Sequence, residues 1–312
     1  MQDDASTLSP EDLIHQLGRL TKEASFKLID CRVSDIDQTL RYLSGNLKKQ
    51  KAAIIDRNKL DVQRAKSKGL TKAQIDRLIL NEDRIDSMAR SLDVVADLPC
   101  PAQKGLESRK RPNGLVIDKV AVPFGVLGLI YESRPNVTID AAALALKSKN
   151  AILLRGGSES LNTSLFLHQL LVEAMLKHGL PKDAVSIVDI PDRTVVTEML
   201  RSDQYIDIMI PRGGAGLIER VMSDAKMPVF AHLDGICHVY IHKHADYQKA
   251  LEITLNSKMR RTGICGAAET ILFDKDFPKD KASAILKRLL EMDCEIVGDS
   301  AIAEIDSRIG AA

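Results

Sequence analysis

Between residues 9 and 97 apolar positions recur at intervals of three and four among charged ones, a pattern that predicts packed amphipathic helices. Ile75, Leu78, Ile79, Ile85, Met88, Ala89 and Leu92 trace one such stripe. Leu98-Pro99-Cys100-Pro101 closes the region. The alternation that follows, with Asn113-Gly114 inside it, predicts a β-hairpin near residues 111–123. From about residue 124 the texture changes. Apolar runs at 126–131, 151–154, 185–190 and 205–210 read as strands, and helical spacing fills 138–148, 160–178 and 195–201. This alternation predicts an α/β fold around a parallel, doubly wound sheet. Such sheets take their ligands at the carboxyl ends of the strands.

Two of these strands run into glycine turns that each open a helix. Residues 151–154 lead into Arg155-Gly156-Gly157-Ser158, and residues 205–210 lead into Pro211-Arg212-Gly213-Gly214-Ala215-Gly216. Neither is a full GxGxxG, so either alone is a weak signal. The order strand, glycine turn, helix gives them weight, because backbone N–H groups at a helix N-terminus suit a phosphate. The plainer alternative, that the glycines only permit tight connections, stays open from the residues alone. After residue 224 come a strand at 237–242, a helix at 247–258, strands at 269–273 and 295–297, and one more helix between those last two. This reads as a second α/β domain that starts and then stops short.

Composition narrows the function classes. At 312 residues the chain fits about two domains. Hydrophobic residues at 45% and charged residues at 28% are ordinary for a soluble globular protein. A formal net charge of +1 gives no reason to expect nucleic acid or an anionic membrane as partner, and 4% aromatics with no Trp make a poor base-stacking platform. No apolar run approaches the roughly 18–20 residues of a membrane helix. The polar start, Met1-Gln2-Asp3-Asp4, lacks a signal-peptide pattern. Cysteines at 31, 100, 237, 265 and 294 are odd in number and without a CxxC pair, the usage of a reducing compartment. The expectation is a cytoplasmic protein.

One cysteine stands apart. Cys265 lies in Arg260-Arg261-Thr262-Gly263-Ile264-Cys265-Gly266, between the helical run 247–258 and the strand-like run 269–273. Gly263 and Gly266 bracket the thiol on a turn where backbone bends and a ligand approaches closely. Lys258, Arg260 and Arg261 stand just upstream, and nearby positive charge favours the attacking thiolate. A small buried filler is the common role of a free cysteine; a glycine-bracketed basic turn is a poor place for one.

Six segments in series carry a resemblance. They are Arg111-Pro112-Asn113-Gly114-Leu115, Tyr131-Glu132-Ser133-Arg134-Pro135-Asn136-Val137-Thr138, Leu153-Leu154-Arg155-Gly156-Gly157-Ser158-Glu159, Ile210-Pro211-Arg212-Gly213-Gly214, His232-Leu233-Asp234-Gly235-Ile236-Cys237-His238 and Arg261-Thr262-Gly263-Ile264-Cys265. In this order they resemble the aldehyde dehydrogenase superfamily, and within it the γ-glutamyl phosphate reductase (glutamate-5-semialdehyde dehydrogenase) branch of proline biosynthesis. The resemblance implies an aldehyde dehydrogenase-like fold: a flexible N-terminus over residues 1–12, a Rossmann-type NADP-binding domain over 13–233, and an incomplete, truncated catalytic domain over 234–312. It implies NADPH-dependent reduction of L-glutamyl 5-phosphate to L-glutamate 5-semialdehyde and phosphate through a cysteine thioester. Cys265 matches the nucleophile and Asn136 the oxyanion-hole asparagine. Arg155, Gly156, Gly157 and Ser158 match a cofactor loop, and Arg212, Gly213 and Gly214 the turn beside the dinucleotide phosphates. Arg134, Arg261 and Thr262 are candidates to hold substrate phosphate or carboxylate.

The chemistry fits those roles. A thiolate outdoes water as a nucleophile toward an acyl phosphate and yields a thioester that hydride can reduce. An amide donor with the Cys265 N–H would stabilise the oxyanion. A basic Arg155 at a strand end points to NADP(H) over NAD. Hydrolytic members of the superfamily carry a glutamate before Leu-Gly-Gly, and this chain has His232 before Leu233-Asp234-Gly235, as the reductase branch does. Two rival readings keep the fold: an aldehyde-oxidising dehydrogenase, and a catalytically incompetent dinucleotide-binding fragment. A metal site built from His232, Cys237, His238, His242 and His244 is disfavoured, because Cys237 and His238 are adjacent on a strand and point to opposite faces. No metal is expected; a small-molecule substrate is, with a homo-oligomer possible on the family pattern.

Overall fold

The computed structural model describes residues 8–102, 105–232, 235–262 and 264–312. The chain divides into two compact units, Met1–Ala231 and His232–Ala312. The first opens with five helices: α1 (Pro10–Asp30), α2 (Val33–Lys49), α3 (Lys51–Ser67), α4 (Lys72–Leu78) and α5 (Glu82–Asp97). Their starts are written in the sequence. Ser9 caps α1 by accepting from the Asp12 N–H with Pro10 in the first turn, and Thr71 with Gln74 forms a capping box on α4. The stripe from Ile75 to Leu92 belongs to two helices, not one, because Asn81 caps α5 and breaks the run between Leu78 and Glu82.

An antiparallel hairpin follows, β1 (Gly105–Lys110) and β2 (Val116–Val120), with Asn113-Gly114 at its turn. Its first strand lies ahead of the span that sequence spacing predicts, because Glu107 to Lys110 is polar throughout and carries no apolar alternation. Every residue of both strands is exposed.

The rest of this unit alternates: β3 (Val126–Tyr131), α6 (Val137–Lys147), β4 (Ala151–Gly156), α7 (Leu161–Lys177), β5 (Val185–Ile187), α8 (Thr194–Arg201), β6 (Ile208–Arg212) and α9 (Ala215–Asp224). The four strands form one parallel sheet in the order β5-β4-β3-β6. The chain steps outward from β3 to β4 to β5, then returns to the opposite side of β3. The topological switch therefore falls between β3 and β6, where open α/β sheets bind ligands. All six residues of β4 are buried, as a parallel sheet with helices on both faces requires. Helices α6 and α7 pack together against β4 and β5, and α1 packs with α8 against β3, β4 and β5.

A polar tie closes the edge of this sheet. The Asp207 N–H donates to the Val126 carbonyl at 2.9 Å, and its carboxylate accepts from the Val126 N–H at 2.7 Å. The same carboxylate takes the Lys22 ammonium of α1 at 2.7 Å. Helix, central strand and edge strand meet at one side chain.

In the second unit β7 (Cys237–Ile241) and β8 (Ala268–Phe273) pair in parallel, joined by α10 (Tyr247–Met259). Then come α11 (Lys279–Glu291), β9 (Val297–Gly298), α12 (Ser300–Ala303) and β10 (Gly310–Ala311). Ile241, Ala250, Phe277, Ala282 and Ile285 form its core, with Val239, Ile271 and Phe273 against them. Among the described residues no helix is long and apolar enough to cross a membrane.

Replacing Asp207 by Ala should orphan the Val126 N–H and unpair Lys22, lowering stability of the first unit by about 2 kcal/mol. Asp207→Asn, whose amide oxygen still accepts, should recover part of it. Urea unfolding followed by far-ultraviolet circular dichroism measures both; equal midpoints for Asp207→Ala and wild type would refute the tie.

Candidate active site

Because Tyr131 of β3 stands in register with Gly156 of β4 and Arg212 of β6, the ends of three strands fall side by side at the switch. Tyr131 is fully buried, and its hydroxyl shares a 2.7 Å hydrogen bond with Thr138. Burial pushes its phenol above the ordinary value. A Cβ on Gly156 would stand only 3.0 Å from the Tyr131 ring. A side chain on the first glycine of Arg155-Gly156-Gly157-Ser158 would thus press on the protein's own buried tyrosine.

Gly157 and Gly213 are crowded too, by the carboxylates of Glu159 and Glu132; Gly214 alone of these four has open space where a side chain would be. Ser158 is exposed at the first turn ahead of α7, and Arg212 is exposed at the end of β6. Two acids organise the crevice. Glu159 accepts from the Ser133 N–H at 2.6 Å and from its hydroxyl at 2.8 Å. This holds Ser133 at φ 45°, a left-handed conformation that non-glycine residues seldom adopt. Glu132 accepts from the Gly214 N–H at 3.0 Å. That places a carboxylate at the N-terminus of α9, where partial positive charge favours an anion. Sequence reasoning gave Glu132 no role; its one signal was an acid directly after an apolar, largely buried strand at a switch point.

Arg155, which the resemblance assigns to a cofactor loop, is largely enclosed by the protein itself. Strand β4 runs two residues further than its apolar stretch, so Arg155 lies within the strand and is only 9% exposed. Its guanidinium donates to the Gly156 carbonyl at 2.9 Å and, at a long 3.4 Å, to those of Pro191 and Asp192. Its Nε–H is buried with no partner among the described residues. Burial lowers its pKa, Glu159 opposes that shift, and Arg193 adds to it. A buried guanidinium with spare donors, beside a second arginine, has the chemistry of an anion site.

Asn136 stands at the start of α6, half-buried, and its side chain makes no capping bond to the helix N-terminus. Its amide donates to Asp140 at 2.9 Å, four residues along the same helix. Burial raises the Asp140 pKa above the usual carboxylate range, offset in part by this bond. An amide has two N–H groups, so fixing one on Asp140 orients the other. The spacing of Asn136 and Asp140 was readable from the sequence and passed unused. Arg134 is half-buried in the same segment.

In the second unit Cys265 is exposed on the turn between α10 and β8, and Arg261 and Thr262 are exposed just before it. Gly263, Leu233 and Asp234 lie outside the described residues. The other four cysteines are partly covered. The turn is fixed at its carbonyl: the Cys237 thiol donates to the Cys265 carbonyl oxygen at 3.5 Å. A Cβ on Gly235 would stand 2.3 Å from that same oxygen. Gly235 and Cys237, to which the sequence gave no part in the Cys265 turn, are thus its seat. Lys258 shares its charge with Glu269 at 3.0 Å. His232 is exposed, and among the described residues no group of His, Cys, Asp and Glu side chains is arranged to hold a metal ion.

The aldehyde dehydrogenase family model matches residues 38–310. The chain is 44% identical over 312 residues to the γ-glutamyl phosphate reductase of Rhodospirillum rubrum, covering 99% of this chain and 73% of that one. It is 43% identical over 298 residues to the γ-glutamyl phosphate reductase of Zymomonas mobilis, covering 96% of this chain and 70% of the relative. Among solved structures, the γ-glutamyl phosphate reductase of Thermotoga maritima superposes with a TM-score of 0.89 at 34% identity, over 96% of this chain and 72% of that one.

Exposure sets an order of thiol reactivity. Iodoacetamide should label Cys265 first, and Cys31 and Cys294 late, because burial raises both of those thiols above their ordinary value. Peptide mass analysis over a time course reads the order. Labelling of Cys31 or Cys294 ahead of Cys265 would contradict it.

Proposed function

The chain belongs to the aldehyde dehydrogenase family, in its γ-glutamyl phosphate reductase branch, and from that membership we propose that it reduces L-glutamyl 5-phosphate to L-glutamate 5-semialdehyde and phosphate. The observation that carries the proposal is Cys265, an exposed thiol on a turn anchored by its own backbone carbonyl. Its thiolate attacks the acyl carbon; the C–S bond forms, the carbon–oxygen bond to phosphorus breaks, and phosphate leaves. Cys265 then holds the glutamyl group as a thioester. NADPH, when bound, supplies the hydride that reduces this carbon. Release of the aldehyde returns Cys265 to its thiolate.

Each remaining residue has one task in this reading. The free amide N–H of Asn136, its partner held by Asp140, donates to oxygen as negative charge builds there. Arg134, Arg261 and Thr262 are the substrate's phosphate and carboxylate partners. The absence of a glutamate at position 232 leaves no carboxylate there to activate water, so the thioester is spared hydrolysis. The cofactor belongs at the switch between β3 and β6, with Ser158, Arg212, Gly213 and Gly214 toward its phosphates. Arg155, with its unpartnered Nε–H and Arg193 nearby, favours a cofactor carrying a 2′-phosphate. We extend the proposal to a homo-oligomer, since a two-stranded hairpin exposed on every residue is marginal alone in water.

The test is the reverse reaction: NADPH formation from glutamate 5-semialdehyde and NADP, with and without phosphate. Turnover should require phosphate and vanish in Cys265→Ala. Asn136→Ala should lower kcat by about 10²–10³-fold with folding intact. Turnover independent of phosphate would point to aldehyde oxidation, and unchanged rates in Cys265→Ala would end the proposal. Arg155→Met should cut kcat/KM for NADP relative to NAD by roughly 10–100-fold, the worth of one charged hydrogen bond. An equal loss with both cofactors would make Arg155 structural only.

A further inference from the structure

Cys237 is the second thiol at the Cys265 turn, and nothing in the reaction above uses it. Its sulfur lies 3.5 Å from the Cys265 carbonyl oxygen, and both residues belong to the same compact unit. The closeness has a built cause. Cys237 opens β7, and the parallel register sets it beside Ala268, the first residue of β8. The chain reaches Ala268 through a turn closed by the Ala267 N–H on the Ile264 carbonyl at 3.0 Å, which folds Cys265 back toward the start of β7. The ladder shifts register just there, because Glu269 of β8 is passed over between the Cys237–Ala268 and His238–Thr270 pairs. Gly235, with no side chain, lets the two segments touch; its Cβ position is 2.3 Å from the Cys265 oxygen and 3.6 Å from the Cys237 sulfur. Cys265 is exposed and Cys237 half-covered, so a small oxidant reaches the first and the second waits beside it.

We propose that Cys237 is the resolving thiol of Cys265: a hydroperoxide converts the pair into a reversible disulfide that stores the nucleophile instead of losing it. The step balances. The Cys265 thiolate attacks the distal peroxide oxygen, the O–O bond breaks, and the sulfur becomes a sulfenic acid while the peroxide leaves as alcohol or water. The Cys237 thiolate then attacks that sulfur; the S–S bond forms and the S–O bond breaks, releasing the oxygen as water. Each sulfur has given up one electron, and the peroxide has taken both. A dithiol reverses the bond by exchange. Without a resolving partner, the sulfenic acid meets further peroxide and climbs to the irreversible sulfinic acid. The proposal rests on Cys265 as the reactive nucleophile.

The experiment uses the full chain with Cys31, Cys100 and Cys294 changed to Ala, treated with hydrogen peroxide, blocked with iodoacetamide and digested without reduction. Mass analysis should find the Cys237 and Cys265 peptides joined and two hydrogens lighter, and dithiothreitol should restore nearly all lost turnover. Adding Cys237→Ser should leave Cys265 as sulfinic or sulfonic acid, with most turnover lost for good. Recovering Cys265 as sulfinic acid beside an alkylated Cys237 in the unsubstituted pair would overturn the proposal, and needs no variant at position 237. Cys265 left unoxidised with full turnover after peroxide would sink the nucleophile reading itself, and the disulfide with it.

Discussion

The position of β3 decides everything else in the first unit. It is the strand at which the chain reverses its direction across the sheet, with β4 on one flank and β6 on the other. Register then fixes Tyr131, Gly156 and Arg212 in one row. The buried tyrosine that ends the central strand leaves little room for a side chain on its neighbour, and Gly156 has none. A close-packed interior gives such a contact little room to relax. The glycine motif at this strand end is thus a packing requirement first, whatever ligand it later serves.

The crevice also brings acceptors for its own freed backbone donors. Backbone N–H groups freed at the ends of β3 and at the start of α9 need acceptors. Glu159 serves Ser133, and Glu132 serves Gly214. Both acids come from the same strand-end neighbourhood as the residues they serve. The donors that make this region suitable for anions are therefore matched by fixed carboxylates, while Arg155 keeps a buried N–H unspent. The second unit follows a similar economy, holding the Cys265 carbonyl with a thiol and a bare glycine instead of a charged group.

How much of this could be read from residues alone depended on whether a signal was local. The strand at Val126–Tyr131 was legible because a parallel strand covered on both faces is apolar at every position. The glycine turns were legible because local motifs carry them, and motifs of the same local kind single out Cys265 and Asn136. Strand ends were less so: β6 runs through Pro211 to Arg212, since a proline's missing N–H costs nothing on the strand side that faces away from its partner. The burial of Arg155 was hidden, because its carbonyl partners Pro191 and Asp192 lie in a loop more than thirty residues on. Glu132 failed for the same reason: its partner Gly214 is 82 residues away. Asn81 was a missed local signal, an ordinary helix cap that splits an apparently continuous stripe.

The Lys22–Asp207 tie spans 185 residues of chain. Helix α1 precedes the strands β3 to β5 and the helix α8 that cover it, and its ionic partner comes just before β6. During synthesis at roughly 5–20 residues per second, that leaves about 10–40 s between Lys22 and Asp207. For much of that interval, until β3 to β5 and α8 follow, the apolar stripe of α1 with Ile14, Ala24 and Leu28 lacks its cover. A fold with α1 pinned beside β6 spends its vulnerable period during synthesis, when closing so long a loop is slowest. Its exposure to aggregation or chaperone capture is set by translation speed as much as by final stability.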